Sequence, residues 1–279
     1  MEIIKQNKLA ISILLLLSAA SLTSEIYAEV QEVETVTIIG TKADVKELPG
    51  SGTIVSNEEL QKAMDTDIHK ILSAVPGVYF RTEDGYGLRP NISIRGTSID
   101  RSAKITLMED GILVAPAPYT SSSAYYFPTS GRINSVEVLK GPSSISQGPS
   151  TIGGAINMIS TPIPEEASGK LTQEFGQNGM LRTHAYYGGV SGNFGGLVEV
   201  HEHQSDGFDS IANVGGDTGF DKSDFMMKAR YENGDHSLTF KMVEIDEISD
   251  QSYVGLSGKS FNANPRLRYG MTQYDQMSN

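Results

Sequence analysis

The sequence predicts a mixed α+β domain followed by the first five or six antiparallel strands of a transmembrane β-barrel, incomplete within this chain. Three observations carry that prediction. Between 50 and 162, short helical patterns and short apolar strands alternate with Asp-Gly and Gly-Pro turns. Beyond Pro164 the chain changes to runs of about ten residues in which polar and apolar side chains strictly alternate. The composition, with 29 Gly, 11 Pro, 12 Tyr, 9 Phe, no Trp and 38% hydrophobic residues, suits turns and strands. With no later apolar run long enough for a spanning helix, any membrane contact must be made by a closed sheet.

Residues 1–28 read as a secretory signal peptide. Lys5 and Lys8 form a positive start, Ile11 to Leu17 an apolar stretch, and Ala28 a small residue before the cut. The apolar run is well short of the roughly 20 residues a spanning helix requires. Cysteine is absent, so neither disulfides nor thiolate chemistry is available. Residues 29–49 form a charged segment and linker containing one β-prone island, Glu34 to Gly40 (ETVTIIG). That island is either an ordinary edge strand or a strand held in reserve to extend another protein's sheet. Deleting it separates the two, since only an edge strand is needed for folding.

Within 50–162, Ser56 and Glu59 form a capping box that opens a helix near Glu58 to Met64. A second helix over Asp67 to Ala74 presents Ile68, Ile71, Leu72 and Val75, and ends at Pro76-Gly77. Strands are expected at Val78 to Arg81, Ile92 to Arg95, Ile105 to Glu109 and Ser135 to Lys140, with turns at Asp84-Gly85, Asp110-Gly111 and Gly141-Pro142.

In 163–279, strands are expected at Lys170 to Gly176, Arg182 to Gly189, Gly196 to Gln204, Ser223 to Glu232 and His236 to Ile245, with a sixth at Arg266 to Gln273. Asp224, Met226, Lys228 and Arg230 share one face and Phe225, Met227, Ala229 and Tyr231 the other. Apolar outside and polar inside is the barrel pattern, although a soluble sandwich alternates similarly. Short connections at Val190 to Gly195 and Asn233 to Asp235 alternate with long acidic ones at Asp206 to Asp221 and Asp246 to Asn264, as periplasmic turns and outer loops do.

The chain carries a net charge of -12, yet from Gly85 to Met108 Arg89, Arg95, Arg101 and Lys104 face one anion, Asp100. A basic island in an acidic chain suits an anionic ligand. Other constellations are weaker. His201 and His203 share a strand face and read as polar lumen residues rather than a metal site. Asp206, Asp209, Asp217, Asp221 and Asp224 lack the spacing of a calcium loop. Gly141 to Gly154 lacks the Lys and helix of a phosphate cradle, and no nucleophile elbow is present, so no catalytic residues are assigned and the chain is not read as an enzyme.

The ordered segments LSAVPGVYF, GLRPNISIRG, ITLMEDGILVAPAPY and INSVEVLKGPSSISQGPSTIGGAINMIS, preceded by ETVTIIG, resemble the TonB-dependent outer-membrane receptors, ferric citrate type. The resemblance implies that 50–162 is a plug seated in a barrel of about 22 strands. It also implies that ETVTIIG is a TonB box, so that Glu34, Thr35, Val36, Thr37, Ile38, Ile39 and Gly40 bind TonB in the periplasm. The stretch 163–279 holds only the first part of such a barrel, so the chain is expected to be the N-terminal portion of a larger receptor. For a carboxylate-bearing ferric chelate, Arg89, Arg101, Lys104, Tyr119, Thr120 and Ser121 are the expected ligand contacts, through bidentate guanidinium pairing and hydroxyl donors. Arg95 and Lys140 are expected instead to pair with the barrel wall. The expected partners are TonB with its inner-membrane energising complex, the chelate and outer-membrane lipid, with no nucleic acid. No cofactor is expected, iron entering only as part of the cargo. A vitamin importer on the same scaffold, or a fragment that transports nothing, stays open as an alternative.

Overall fold

The computed structural model describes residues 37–41, 44–63, 67–82, 84–114, 126–212, 216–250, 256–269 and 276–278. The signal peptide and the first half of the β-prone island lie outside them, as do Tyr119, Thr120 and Ser121.

The first unit is an α+β plug. Its strands are β1 (Ser51–Val55), β2 (Val78–Arg81), β3 (Asn91–Ile94), β4 (Ile105–Glu109), β5 (Ile112–Leu113), β6 (Ile133–Lys140) and β7 (Gly154–Ser160). Five of them form one sheet in the order β1-β6-β7-β4-β5, in which β4 and β7 run parallel, while β2 and β3 pair separately. Helices α1 (Asn57–Ala63) and α2 (Ile68–Ser73) sit where the sequence predicts them. The Glu59 carboxylate accepts from both the Ser56 N–H and its hydroxyl, and the Asp67 side chain caps α2 through the His69 N–H. Asp110 and Gly111, both at positive φ, make the tight turn from β4 to β5.

The sheet is covered on both faces. Ile68, Ile71, Leu72, Ile92 and Ile94 pack with Ile105, Leu107, Val136, Val138, Ile156 and Met158 on one side. On the other, Met108, Leu139 and Ala155 are covered by Ile38, Ile39, Val45 and Leu48 from the N-terminal segment. Burying both faces removes the alternation that would have announced β7, whose seven residues are all buried. Neither β7 nor β1 was anticipated.

The second unit is a wall of antiparallel strands: β8 (Ser168–Phe175), β9 (Leu181–Ser191), β10 (Phe194–Ser205), β12 (Phe220–Asn233) and β13 (His236–Asp250). Between and after them lie β11 (Ser210–Ala212), the short helix α3 (Gly258–Ala263) and β14 (Leu267–Tyr269). Gln276–Ser278 forms β15, a sixth wall strand paired with β13. The expected sixth strand at Arg266 to Gln273 is therefore corrected: its start belongs to β14, which pairs in parallel with β11 in the loop layer.

Register explains the two-sidedness of the wall. His184, His201 and Asp224 stand opposite one another across β9, β10 and β12, as do Tyr186, Glu199 and Met226, so these residues share the inner face. Leu171, Phe194, Val198, Leu238, Phe240 and Met242 project from the outer face, with Leu171 73% and Leu238 70% exposed. A row of exposed apolar side chains on strands with a polar inner face is the lipid-facing arrangement of a barrel. Among the described residues no helix is long and apolar enough to cross a membrane.

Candidate functional site

The plug meets the inner face of the wall through buried charge. Arg132, in the turn before β6, is 1% exposed; its Nε donates to Asp224 on β12 at 2.7 Å and its fork grips Glu109 at the end of β4. From β13, Lys241 reaches Glu109 at 2.5 Å and Asp110 at 2.6 Å. Lys228 on β12 donates to the Thr161 carbonyl at 2.8 Å and lies 3.6 Å from Asp110. Unpaired charges at this depth would cost several kcal/mol each, so their convergence requires plug and wall to be seated together.

The same neighbours set the protonation of the plug carboxylates. Burial pushes the Asp110 carboxyl up, but Lys228 and Lys241 outweigh burial and bring it down to about 2. Burial likewise opposes ionisation of Glu109, and Arg132 and Lys241 overcome it, leaving its pKa lowered. Burial and the Glu109 charge raise the Tyr126 phenol, which therefore stays protonated and donates to Glu109 at 3.1 Å.

Higher on the wall the contacts become aromatic. Asp84 accepts N–H bonds from Tyr86, Gly87 and Arg89, folding that loop around its carboxylate. Tyr86 is thereby held against Phe208 and Phe220, and its hydroxyl lies 3.0 Å from the Ser205 hydroxyl. Gly131 approaches β10 so closely that an added Cβ would lie 2.0 Å from His201 Nε2. The Thr161 hydroxyl donates to Glu199, which also holds His184 at 2.6 Å. Among the described residues no group of three or more His, Cys, Asp or Glu is placed to hold a metal ion, and His201 is buried with its ring beside those of His184 and His203.

The structure separates the expected ligand contacts. Arg89 is 2% exposed and donates to Glu247 on β13 at 2.5 Å, so its charge is committed to the wall. Arg95 and Lys140 were expected in that role, and neither pairs with the wall strands described. Lys140 is buried and donates to the Pro76 carbonyl at 2.9 Å within the plug. Arg95 is exposed and lines a shallow cleft of about 360 Å³ with Ile145 and Ile152, making no ion pair with another described residue. Arg101 and Lys104 flank the turn between β3 and β4, Lys104 exposed and Arg101 partly so, with the Arg101 N–H bound to Asn91 Oδ1 at 2.8 Å.

The described part of the β-prone island, 37–40, is not an edge strand. It runs across the second face of the plug sheet, where the Glu137 carboxylate accepts from the N–H groups of Ile38, Ile39 and Gly40 at 2.8, 3.0 and 3.2 Å. Sequence reasoning missed Glu137. The available signal was parity: in INSVEVLK it shares a face with apolar Leu139, which marks a charge on a covered face.

Residues 44–155 match the family model of the TonB-dependent Receptor Plug Domain. The chain thus carries a plug of that class, followed by the antiparallel strands of a partial barrel. It is similar to the vitamin B12 transporter BtuB of Photobacterium profundum, at 25% identity over 79% of this chain and 36% of the transporter. It is also similar to the BtuB of Vibrio vulnificus, at 30% identity over 54% and 25%. Among solved structures, the unliganded ferric citrate transporter FecA superimposes with a TM-score of 0.70 at 21% identity, covering 82% of this chain and 36% of FecA. The ferric yersiniabactin uptake receptor FyuA from Yersinia pestis does so with a TM-score of 0.61 at 24% identity, covering 74% and 33%. The chain spans about a third or less of the length of these proteins. Their names describe transporters and uptake receptors.

Proposed function

We propose that this chain forms the plug and first wall strands of a TonB-dependent outer-membrane receptor that imports a ferric chelate of the citrate type. The observation that carries this reading is the plug pinned by Arg132, Lys228 and Lys241 against the polar face of a sheet whose other face is apolar. Such a seam suits a gated pore in lipid. The N-terminus lies in the periplasm in this reading, where residues 34–40 add as a strand to TonB. Lys104 and Arg101, with Tyr119, Thr120 and Ser121, supply the donors for the chelate's carboxylates. Arg89 is left out of that set because Glu247 already holds it.

The likeness to vitamin B12 transporters favours a second reading, import of a vitamin on the same scaffold. The two differ in charge. Outer membranes carrying the receptor should bind ferric citrate, and Lys104→Glu should weaken that binding; binding of vitamin B12 but not ferric citrate would select the second reading. Val36→Pro, which removes an N–H needed for strand addition, should abolish uptake and leave binding unchanged. Undiminished uptake by that variant would remove residues 34–40 from the mechanism.

A further inference from the structure

Between β3 and β4 the chain makes a turn that its own residue types disfavour. Arg101 (φ 51°, ψ 26°) and Ser102 (φ 55°) are consecutive left-handed residues, and neither is glycine. Nearby positions with the same need carry glycine, at Gly85, Gly87 and Gly96. Such a conformation persists only where its surroundings hold it. Two buried side chains do so here. Asn91, 0% exposed at the start of β3, accepts the Arg101 N–H on Oδ1 at 2.8 Å. The Ser102 hydroxyl, on a residue also 0% exposed, accepts the Ile92 N–H at 2.9 Å and donates to the Pro90 carbonyl at 3.1 Å. Both ends of the turn are fixed as well. The Thr97 hydroxyl donates to the Ile94 carbonyl at 3.1 Å, and the Lys104 carbonyl accepts the Gly153 N–H at 2.8 Å. Amid these anchors Arg101 stays partly exposed.

We propose that Asn91 and Ser102 are positioning residues: they brace the left-handed turn that presents the Arg101 guanidinium to a carboxylate of the imported chelate. A turn under no demand but folding would carry glycine at 101 and give up the side chain, so strain kept at an arginine marks a place where the side chain is used. A planar guanidinium pairs bidentately with a carboxylate only over a narrow range of orientations, and fixing the backbone that carries it saves ordering cost when the ligand binds. Ser102 serves the same end, since glycine there would remove the hydroxyl that joins the turn to Pro90 and Ile92. A third tie runs through β2, where Arg81 stands opposite Asn91 and lies 3.5 Å from the Asp100 carboxylate. The ligand role of Arg101 rests on the function proposed above; the brace on its turn does not.

Two measurements on the intact receptor in outer-membrane vesicles test this. The first needs no cargo: a nitroxide at Arg101→Cys is a single label, because the chain has no cysteine. Adding Asn91→Ala or Ser102→Ala should raise its mobile fraction by about three- to tenfold, the equivalent of the hydrogen bonding lost. A label as immobile in both variants as with the brace intact overturns the brace, and Ser102→Ala decides alone if Asn91→Ala is not recovered folded. The second measurement is equilibrium binding of ferric citrate. Asn91→Ala should weaken it by about three- to tenfold when Arg101 is present. The same change should have no effect beside Arg101→Asn, which tolerates the left-handed turn but lacks the guanidinium. Equal losses in the two backgrounds would make Asn91 a purely structural residue and overturn the positioning role. If the label is freed while Arg101→Asn leaves ferric citrate binding as in the parent, the brace stands and the ligand contact at Arg101 falls.

Discussion

Arg132→Met should unseat the plug from the wall. The guanidinium is fully buried and bridges two carboxylates on different units, Glu109 of the plug and Asp224 of β12. Methionine fills much of its volume but leaves both anions without that cation. Breaking a buried pair from one side costs about 3–5 kcal/mol, and because Lys241 still holds Glu109 at 2.5 Å, the lower end applies. About 3 kcal/mol is a factor on the order of 10² in the seated-to-released ratio at 1.4 kcal/mol per decade. For a domain with a urea dependence of about 2 kcal/mol per molar, the midpoint falls by about 1–2 M. The assay is urea-dependent proteolysis of the plug in the intact receptor. The double variant Arg132→Met with Asp224→Leu replaces the pair by apolar groups and should recover much of the loss. If the single variant stays within about 0.5 kcal/mol of the parent, the level of an ordinary surface change, the seam does not hold the plug.

Acid should weaken the same seam. Asp110, held at about 2 in the folded protein against 3.8 when free, contributes about 2 kcal/mol that is complete above its unfolded pKa and lost as pH falls from about 4 through about 2. The stability gap between the parent and Asp110→Asn should therefore narrow over that window, and a gap independent of pH would contradict the pairing with Lys228 and Lys241. Gly131→Ala places a Cβ 2.0 Å from buried His201 Nε2 and should cost about 1–3 kcal/mol by overpacking, relieved by His201→Ala. Equal thermal melts for Gly131→Ala and the parent would mean that the plug sits differently against β10.

What the sequence determined by itself was everything whose cause is local. The capping box at Ser56, the strands Val78–Arg81 and Ile105–Glu109 and the Asp110-Gly111 turn depend on neighbouring residues, and each lies where it was read. The wall was legible for the same reason: one face is exposed and apolar and the other packs against the plug, so the pattern of period two survives in the chain. Strand β7 was not legible, because a strand buried on both faces carries no alternation, and β1, just ahead of α1, was not read as a strand.

Tertiary structure decided which charges meet. The basic island was legible as charge, but sequence could not say that Arg89 would be spent on Glu247, 158 residues away, or that Arg95 would lack a wall partner among the described residues. Nor could it bring Glu137 to the N–H groups of Ile38 to Gly40, close to a hundred residues earlier in the chain. Pairing of that kind depends on how the sheet stacks and on which carboxylates lose their water, and neither quantity is carried by neighbouring residues.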